Sequence, residues 1–180
     1  MAEKKRSQWQ KLTSTLGILI VAAAVGVLMA TLWFPVYRIH GRSMTPTVNE
    51  GEIVLAVKGG SVAAGDVVAL RYGDRILMKR VIATAGETVD IDADGTVTVN
   101  GERLAEPYVK EKVYGSCNIK LPLEVPEGRL FVMGDNRELS SDSRNSAIGC
   151  VEREQIAGRV VWKIWPLRSV GVVNREARNG

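Results

Sequence analysis

The sequence predicts a mainly β protein that follows one N-terminal transmembrane helix. A long uncharged apolar run lies near the N-terminus, and short runs rich in branched residues, broken by glycines, follow it with one short helical pattern. The chain has 180 residues, 46% of them hydrophobic and 24% charged, which is enough apolar material to bury a core. This length suits one domain with a small second lobe and excludes two full-sized enzymatic domains.

The apolar run extends over residues 12–37 without a charged side chain. Its strongest part, Leu16–Phe34, contains 19 residues. As a helix this part would be ~28 Å long, close to the ~30 Å hydrocarbon core of a bilayer. Trp9 flanks one end of the run, and Trp33 and Tyr37 flank the other, as in the aromatic belts of membrane proteins. These features predict a transmembrane anchor at residues 12–37.

The charge distribution predicts the orientation of the anchor in the cell membrane. Most of the net charge of +4 lies before residue 12, so the positive-inside rule makes residues 1–11 a cytoplasmic tail and residues 38–180 an extracytoplasmic domain. A nucleic-acid partner is not predicted, because the basic excess is confined to the tail. The alternatives are a cleaved secretory signal, for which Ala30 and Leu32 form a poor cleavage site, and a buried helix of a soluble core.

The remainder of the chain is predicted to form short strands. The Asp94-Gly95 and Asn100-Gly101 pairs are strong hairpin signals, so residues 88–104 are predicted to be a small meander. Residues 105–128 contain three of the six prolines and are predicted to be irregular, whereas Glu152–Ala157 has the pattern of a short helix. The architecture expected is a sandwich or a distorted barrel. Strands are predicted at 53–57, 66–72, 76–83, 88–92, 96–99, 129–133 and 159–164.

Metal and imidazole chemistry are not predicted. The only histidine, His40, lies three residues before Ser43, and in an extended chain these side chains would be ~10 Å apart on opposite faces. His40 is therefore interpreted as a polar residue at the membrane interface, and a four-ligand zinc site or another cofactor is not expected. Cys117 and Cys150 lie on the exported side, where a disulfide is permitted, but two cysteines do not establish one.

Three polar segments carry the candidate chemistry. The segment GRSMTPT, residues 41–47, places Ser43 in a loop with glycine before it and proline after it. The segment LMKRVI, residues 77–82, places Lys79 on an apolar strand face, where an ammonium group must find a partner or lose its proton. A lysine at a strand edge with its head in water is the more ordinary interpretation. The segment GDNRELSSDSR, residues 134–144, by composition indicates only a structured loop.

Together with GDVV at residues 65–68, these segments occur in the order in which the bacterial type I signal peptidases have them. Residues 12–166 resemble this family of serine peptidases, the leader peptidases of family S26, and in particular its Gram-positive members. The resemblance implies a signal-peptidase-like β catalytic domain with an inserted β-rich lobe. The catalytic lobe would comprise about residues 38–82 and 129–175, and the inserted lobe about residues 83–128.

The resemblance also implies roles for single residues. Ser43 matches the nucleophile, and Lys79 matches the general base. Some members have a serine where this chain has Gly41. Because glycine offers no side-chain donor, the oxyanion would be stabilised by the Ser43 backbone N–H, together with a neighbouring backbone group or water. Ser140 matches a serine that orients the lysine. Three further residues match the network that supports the site: Asp135, Asp142 and Arg144.

The implied activity is cleavage of signal peptides from exported preproteins after small-x-small sites. Lys79 must then be largely neutral, which burial would favour. Because a neighbouring carboxylate would oppose this, we expect Arg80, Arg137 or Arg144 to hold the two aspartates away from Lys79. The alternatives are a self-cleaving Ser-Lys protease and a membrane-tethered β module without catalysis. The sequence does not predict an oligomeric state.

Overall fold

The computed structural model describes residues 2–173, with the side chains of residues 15–173. Contacts within the chain divide it into a unit of residues 1–34, which is helical, and a unit of residues 35–180, which contains all the strands described.

Helix α1, Ala2–Trp33, forms the first unit. Its segment Thr15–Trp33 is long and apolar enough to cross a membrane, and none of it is buried. The predicted N-terminal apolar helix is therefore confirmed. The helix begins earlier than the predicted anchor, because the basic and glutamine residues of the tail favour helix. It ends before Pro35, since proline disfavours the helical conformation of the residue that precedes it.

The larger sheet of the second unit contains eight antiparallel strands in the order β1-β2-β11-β3-β4-β9-β10, with β12 paired to β11. Strands β3 and β4 are central and carry consecutive buried residues, because apolar residues pack against both of their faces. The strands are β1 (Val36–Arg38), β2 (Ile53–Val57), β3 (Val67–Tyr72), β4 (Arg75–Thr84), β9 (Arg129–Met133), β10 (Val151–Glu152), β11 (Ile156–Trp165) and β12 (Gly171–Val172).

The smaller sheet has four strands in the order β7-β6-β5-β8. It lies within residues 83–128, where the inserted lobe is predicted. Both predicted hairpin turns are present, with Gly95, Asn100 and Gly101 at positive φ angles of 79°, 54° and 81°. The strands are β5 (Thr88–Ile91), β6 (Val97–Val99), β7 (Glu102–Arg103) and β8 (Leu123–Glu124).

Buried apolar residues form three clusters in the second unit. The first lies against β2, β3 and β11 and includes Met44 and Val48 from the loop between β1 and β2. The second joins the smaller sheet to β4 and β9 through residues such as Phe131. The third fills the space against β3, β4, β9 and β10. The small sheet and the β1–β2 loop are thus both fixed by burial against the central strands.

The short helix predicted at Glu152–Ala157 is wrong in extent. Only a 3-10 turn, Arg153–Gln155, forms there, capped by the bond from the Glu152 N–H to Gln155 Oε1 at 2.7 Å. Strand β11 then begins at Ile156. Pairing of β11 with both β2 and β3 favours the extended conformation over the local helical pattern. A second 3-10 turn, Leu167–Ser169, precedes β12.

Candidate active site

Ser43 lies in the loop between β1 and β2, and its side chain is half-buried. The loop is fixed on one side by Met44, which is 1% exposed in the first apolar cluster. It is fixed on the other side by Asn136, whose backbone N–H donates to the Ser43 carbonyl at 3.0 Å. Within residues 15–173, the Ser43 N–H donates no hydrogen bond, so it is available to a substrate oxygen.

Lys79 lies on β4 and is 3% exposed. Its Nζ is 3.1 Å from the Oγ of Ser43, within hydrogen-bonding distance. The interpretation of Lys79 as an edge lysine with its head in water is therefore wrong. Neighbours on both faces of β4 explain why Lys79 and Arg80 are both buried although their side chains point in opposite directions.

Burial lowers the pKa of Lys79 below its ordinary value. The Asp142 carboxylate acts in the opposite direction, and so, more weakly, does Asp135. The Arg144 guanidinium adds to the lowering. The net effect favours the neutral amine, which is the form that accepts a proton.

Both of these carboxylates form buried ion pairs with arginines. Arg80 binds Asp135 through two bonds of 2.9 and 2.7 Å. Arg144 binds Asp142 through bonds of 2.8 and 2.9 Å. Burial raises the pKa of Asp142, but Arg144 and the Gly134 N–H, which donates at 3.0 Å, outweigh it and hold the pKa below its ordinary value.

The third arginine expected to hold an aspartate away from Lys79 forms a different ion pair. Arg137 binds Glu106, with its Nη2 2.5 Å from Oε1, rather than either aspartate. The sequence reasoning missed Glu106, which lies in the irregular segment between β7 and β8 and is fully buried at its side chain. A single glutamate in a loop carries no signal of a buried partner 31 residues away.

Ser140 is buried, and its hydroxyl lies close enough to Asp142 to help lower the pKa of that carboxyl, although its Oγ makes no hydrogen bond of ordinary geometry within the described residues. Gly134 places it beside the Ser43 loop. A Cβ on Gly134 would lie 2.3 Å from Ser140 Oγ and 2.5 Å from the Ser43 carbonyl oxygen. Only glycine permits this approach, so Gly134 is a site residue that the sequence reasoning missed.

Thr47 is a second missed residue. Its hydroxyl donates to Asp135 Oδ2 at 2.5 Å and accepts from Arg80 Nη2 at 3.2 Å. Its carbonyl accepts from Lys163 Nζ on β11 at 3.2 Å. The nucleophile loop is thereby joined to the ion pair that lies beside Lys79 on β4.

A cleft of about 290 Å³ opens beside Ser43. Two chain segments bound it: residues 37–41, which include the end of β1 and the residues that follow it, and residues 76–78 of β4. Gly41, at a φ of +86°, turns the chain from β1 towards Ser43, and a Cβ there would meet nothing within 4 Å. The exposed His40 also lines the cleft. A second cleft of about 210 Å³, lined largely by charged residues, adjoins Arg42 and Thr45.

Other chemistry finds no support in the part of the chain that the structure describes. Within those residues no group of three His, Cys, Asp or Glu side chains is placed to hold a metal ion. Cys117 and Cys150 are both free thiols. Burial raises the pKa of Cys150, which is opposite to the activation of a thiolate.

Comparisons with known proteins give a consistent assignment. A family model described as signal peptidase, peptidase S26, matches residues 10–165. A signal peptidase I of Bacillus licheniformis is 32% identical over 93% of this chain and 96% of its own length. A signal peptidase IB of Staphylococcus aureus is 34% identical over 83% of this chain and 88% of its own length. A crystal structure of a signal peptidase I from Enterococcus faecalis V583 is 32% identical, covers 56% of this chain and 97% of that chain, and has a TM-score of 0.47.

The class of the protein is therefore that of a serine peptidase, built mainly of β strands behind one N-terminal apolar helix. The chain belongs to the peptidase S26 family of signal peptidases.

Proposed function

We propose that the protein cleaves signal peptides from exported preproteins, after small-x-small sites, by a Ser43–Lys79 dyad. The observation that carries the proposal is the 3.1 Å separation of Lys79 Nζ and Ser43 Oγ, with the lysine buried. A buried amine with a lowered pKa beside a hydroxyl is the arrangement expected of an activated nucleophile and its base.

In the first half of the reaction, neutral Lys79 removes the proton from Ser43 Oγ as the oxygen attacks the scissile carbonyl carbon. The carbonyl π electrons move to its oxygen, which the free Ser43 N–H faces as an oxyanion donor. Gly41 contributes no side chain to this site, so a backbone group near it or a water supplies any second donor. The protonated Lys79 then donates its proton to the leaving amine as the C–N bond breaks, and an ester to Ser43 remains.

In the second half, Lys79 is again neutral and removes a proton from a water molecule that attacks the ester carbonyl. The tetrahedral intermediate collapses as the C–O bond to Ser43 breaks, and Lys79 returns the proton to Oγ. The products are the free signal peptide with a new carboxylate and the mature protein with a new amino terminus. Ser140, Asp135, Asp142 and Arg144 are proposed to hold Lys79 and the Ser43 loop in position throughout.

The substrate is proposed to bind as an extended strand in the cleft beside Ser43. Strand β1 pairs only with β2, so its other edge is free within the described residues. Strand β9 pairs with β4 only from Arg80 to Thr84, which leaves one edge of residues 75–79 without a described partner. Two free strand edges that border one cleft suit the addition of a peptide strand, with main-chain hydrogen bonds for affinity and shallow pockets for small side chains.

A single-pass location in the cell membrane, with the N-terminus cytoplasmic, completes the proposal. Only Phe34 and Pro35 separate α1 from β1, so the peptidase unit would be tethered at the bilayer surface, near substrates held in the same membrane.

The pairing register also aligns one apolar side chain from each of β1, β2, β11 and β12 in a row across the large sheet. The row consists of Val36, Leu55, Trp162 and Val172. Three of these four side chains are at least half exposed, which suits contact with lipid.

The test is cleavage of a preprotein by the full chain in detergent micelles. Ser43→Ala and Lys79→Ala are each expected to abolish cleavage while circular dichroism stays unchanged. The matched controls are Ser141→Ala and Lys120→Ala, at exposed positions, which are expected to cleave at the rate of the unmodified protein. Cleavage retained by either dyad variant would contradict the proposal.

A further inference from the structure

Two buried residues between β7 and β8 reach the active-site arginines, and the reaction above does not use them. Glu106 accepts from Arg137 Nη2 at 2.5 Å. The ring of Tyr108 covers the guanidinium of Arg80, with its centroid 3.9 Å from Cζ. Tyr108 is 9% exposed. The segment between β7 and β8 thus contacts Arg80, which follows Lys79 in the sequence, and Arg137.

The Arg80 guanidinium is held in its plane by hydrogen bonds to three partners. Two of its nitrogens bind Asp135, a third donates to the Gly65 carbonyl at 2.9 Å, and Nη2 also contacts the Thr47 hydroxyl. These bonds fix the group only within its own plane. The Tyr108 ring lies against one face and so restricts tilting out of the plane, while it adds the attraction of a cation for an aromatic face.

This contact matters because Arg80 directly follows Lys79 and neutralises Asp135. The charged groups that act on Lys79 are the carboxylates of Asp142 and Asp135 and the guanidinium of Arg144. Arg144 forms an ion pair with Asp142. The charge of Asp135 is therefore balanced at Lys79 only while Arg80 remains bound to it.

We propose that Tyr108 is a positioning residue for the dyad: its ring keeps Arg80 bound to Asp135, so that this carboxylate stays neutralised beside Lys79. The inference rests on the proposed function, because it assigns Tyr108 a part in keeping the base neutral. It also gives the segment between β7 and β8 a part in keeping the dyad in its active form.

The orientation of the Tyr108 ring is set from its far end. Its hydroxyl donates to Glu106 Oε1 at 3.4 Å, a long bond, and Glu106 is fixed by Arg137 and lies 3.8 Å from Lys112 Nζ. Burial, and to a lesser degree Glu106, raise the pKa of Tyr108, while Arg137 and Arg80 act against them. The hydroxyl therefore stays protonated and remains a donor at any working pH.

Loss of the ring face has a defined consequence. Arg80 would tilt away from Asp135 part of the time, and the uncompensated carboxylate would favour the ammonium form of Lys79. The pKa of Lys79 would then rise, and since only the neutral amine acts as base, the acidic limb of kcat/KM against pH would move to higher pH. We expect the limb to move by about half a pH unit, a loss of kcat/KM of about threefold below the limb, which corresponds to the free energy of the weaker cation–π contacts.

The experiment measures kcat/KM against pH for the full chain, with a model signal-peptide substrate. Tyr108→Leu removes the ring and is expected to move the acidic limb upward by about half a unit. Tyr108→Phe keeps the ring, and its acidic limb is expected to move by only a small fraction of that shift. Tyr72→Leu, at an exposed tyrosine of β3, is the matched control and is expected to leave the limb in place. A uniform loss of activity in Tyr108→Leu without movement of the limb would overturn the proposal.

Two additions keep the test decisive. Tyr108→Met, whose unbranched side chain adapts more easily to an irregular space, replaces Tyr108→Leu if circular dichroism shows that the latter is unfolded. In an Asp135→Asn background, which lacks the charge, the Tyr108 substitution is expected to move the limb no further; an undiminished shift there would overturn the proposal. Failure of the dyad itself is distinguishable, since it would appear as activity retained in Lys79→Ala.

Discussion

Lys79 occupies a position where its charged form is costly. Its side chain is buried, and burial is the largest influence on its pKa. A lysine whose pKa is lowered by folding binds its proton less tightly in the folded state than in the unfolded state. Stability contributed by this position therefore rises with pH, from the lowered pKa towards the ordinary value of 10.5.

Replacement of this lysine is expected to stabilise the fold while it abolishes activity. Lys79→Met fills a similar volume without a buried amine, and we expect the free energy of unfolding at pH 7 to rise by about 1 kcal/mol or more. The difference from the unmodified protein should shrink as the pH approaches 10, where the unfolded lysine also loses its proton. Chemical denaturation at several pH values measures this difference. A methionine variant less stable than the original at pH 7 would contradict the account of a costly buried amine.

Gly134 allows two segments of the site to lie close together because it has no side chain. Its Cα lies between Ser140 and the Ser43 carbonyl, with no room for a methyl group. We expect Gly134→Ala to lower kcat/KM about 100-fold, because displacement of a catalytic group by about 1 Å has effects of that size. Gly171→Ala is the control, since its Cβ would meet only an oxygen at 4.0 Å. Equal activity of the two variants, measured on one substrate, would show that the Gly134 contact is not needed.

At the scale of elements, the strands with continuous branched runs could be predicted from the sequence. Strands β2 and β9 match their predicted bounds, and β3 and β4 differ from theirs by one or two residues. The β5–β6 and β6–β7 turns follow from Asp-Gly and Asn-Gly pairs, whose backbone preference is local. Strands β7, β8 and β10, of two residues each, have no pattern long enough to detect.

The contacts between elements could not be predicted in the same way. Ser43 and Lys79 were found because their motifs resemble those of a family. Thr47, Glu106 and Tyr108 lie in segments without periodicity, and their partners are distant in sequence. Burial of a polar residue is decided by the three-dimensional packing around it. Local patterns do not contain that information.

The Glu106–Arg137 pair joins the segment between β7 and β8 to the loop between β9 and β10, and its loss should be costly. Both side chains are fully buried, so Glu106→Gln leaves a buried guanidinium without its countercharge, and we expect about 3 kcal/mol of destabilisation. Glu152→Gln is the matched control. It breaks an exposed pair with Arg129, and we expect less than about 1 kcal/mol. Urea denaturation distinguishes them, and similar losses in both variants would refute the structural role assigned to Glu106.

At the scale of the whole molecule, the proposal combines a membrane helix with a β unit on the outer side of the membrane. The helix could be predicted from hydropathy and length alone, because both are local properties of the sequence. The row of apolar side chains across β1, β2, β11 and β12 could not, since it depends on the register of four strands. Both features support the proposal of an enzyme that acts at the membrane surface.

The two free thiols provide a test of this orientation. In a Cys150→Ser variant, Cys117 is the only cysteine, and it belongs to the β unit. A membrane-impermeant maleimide added to intact spheroplasts is expected to label Cys117 as fully as it does after the membrane is permeabilised. A cysteine introduced in the basic tail by Ser7→Cys, with both native cysteines replaced, should react only after permeabilisation. The reverse pattern would place the β unit in the cytoplasm.

The central claim is that a neutral Lys79 activates Ser43, and the pH dependence of kcat/KM tests it most directly. For the unmodified protein we predict an acidic limb that lies below the ordinary lysine pKa of 10.5, since burial favours the neutral amine. Lys79→Ala should remove cleavage at every pH, and Lys79→Arg, which cannot lose its proton, should do the same. A limb that persists unchanged in either variant would contradict the account.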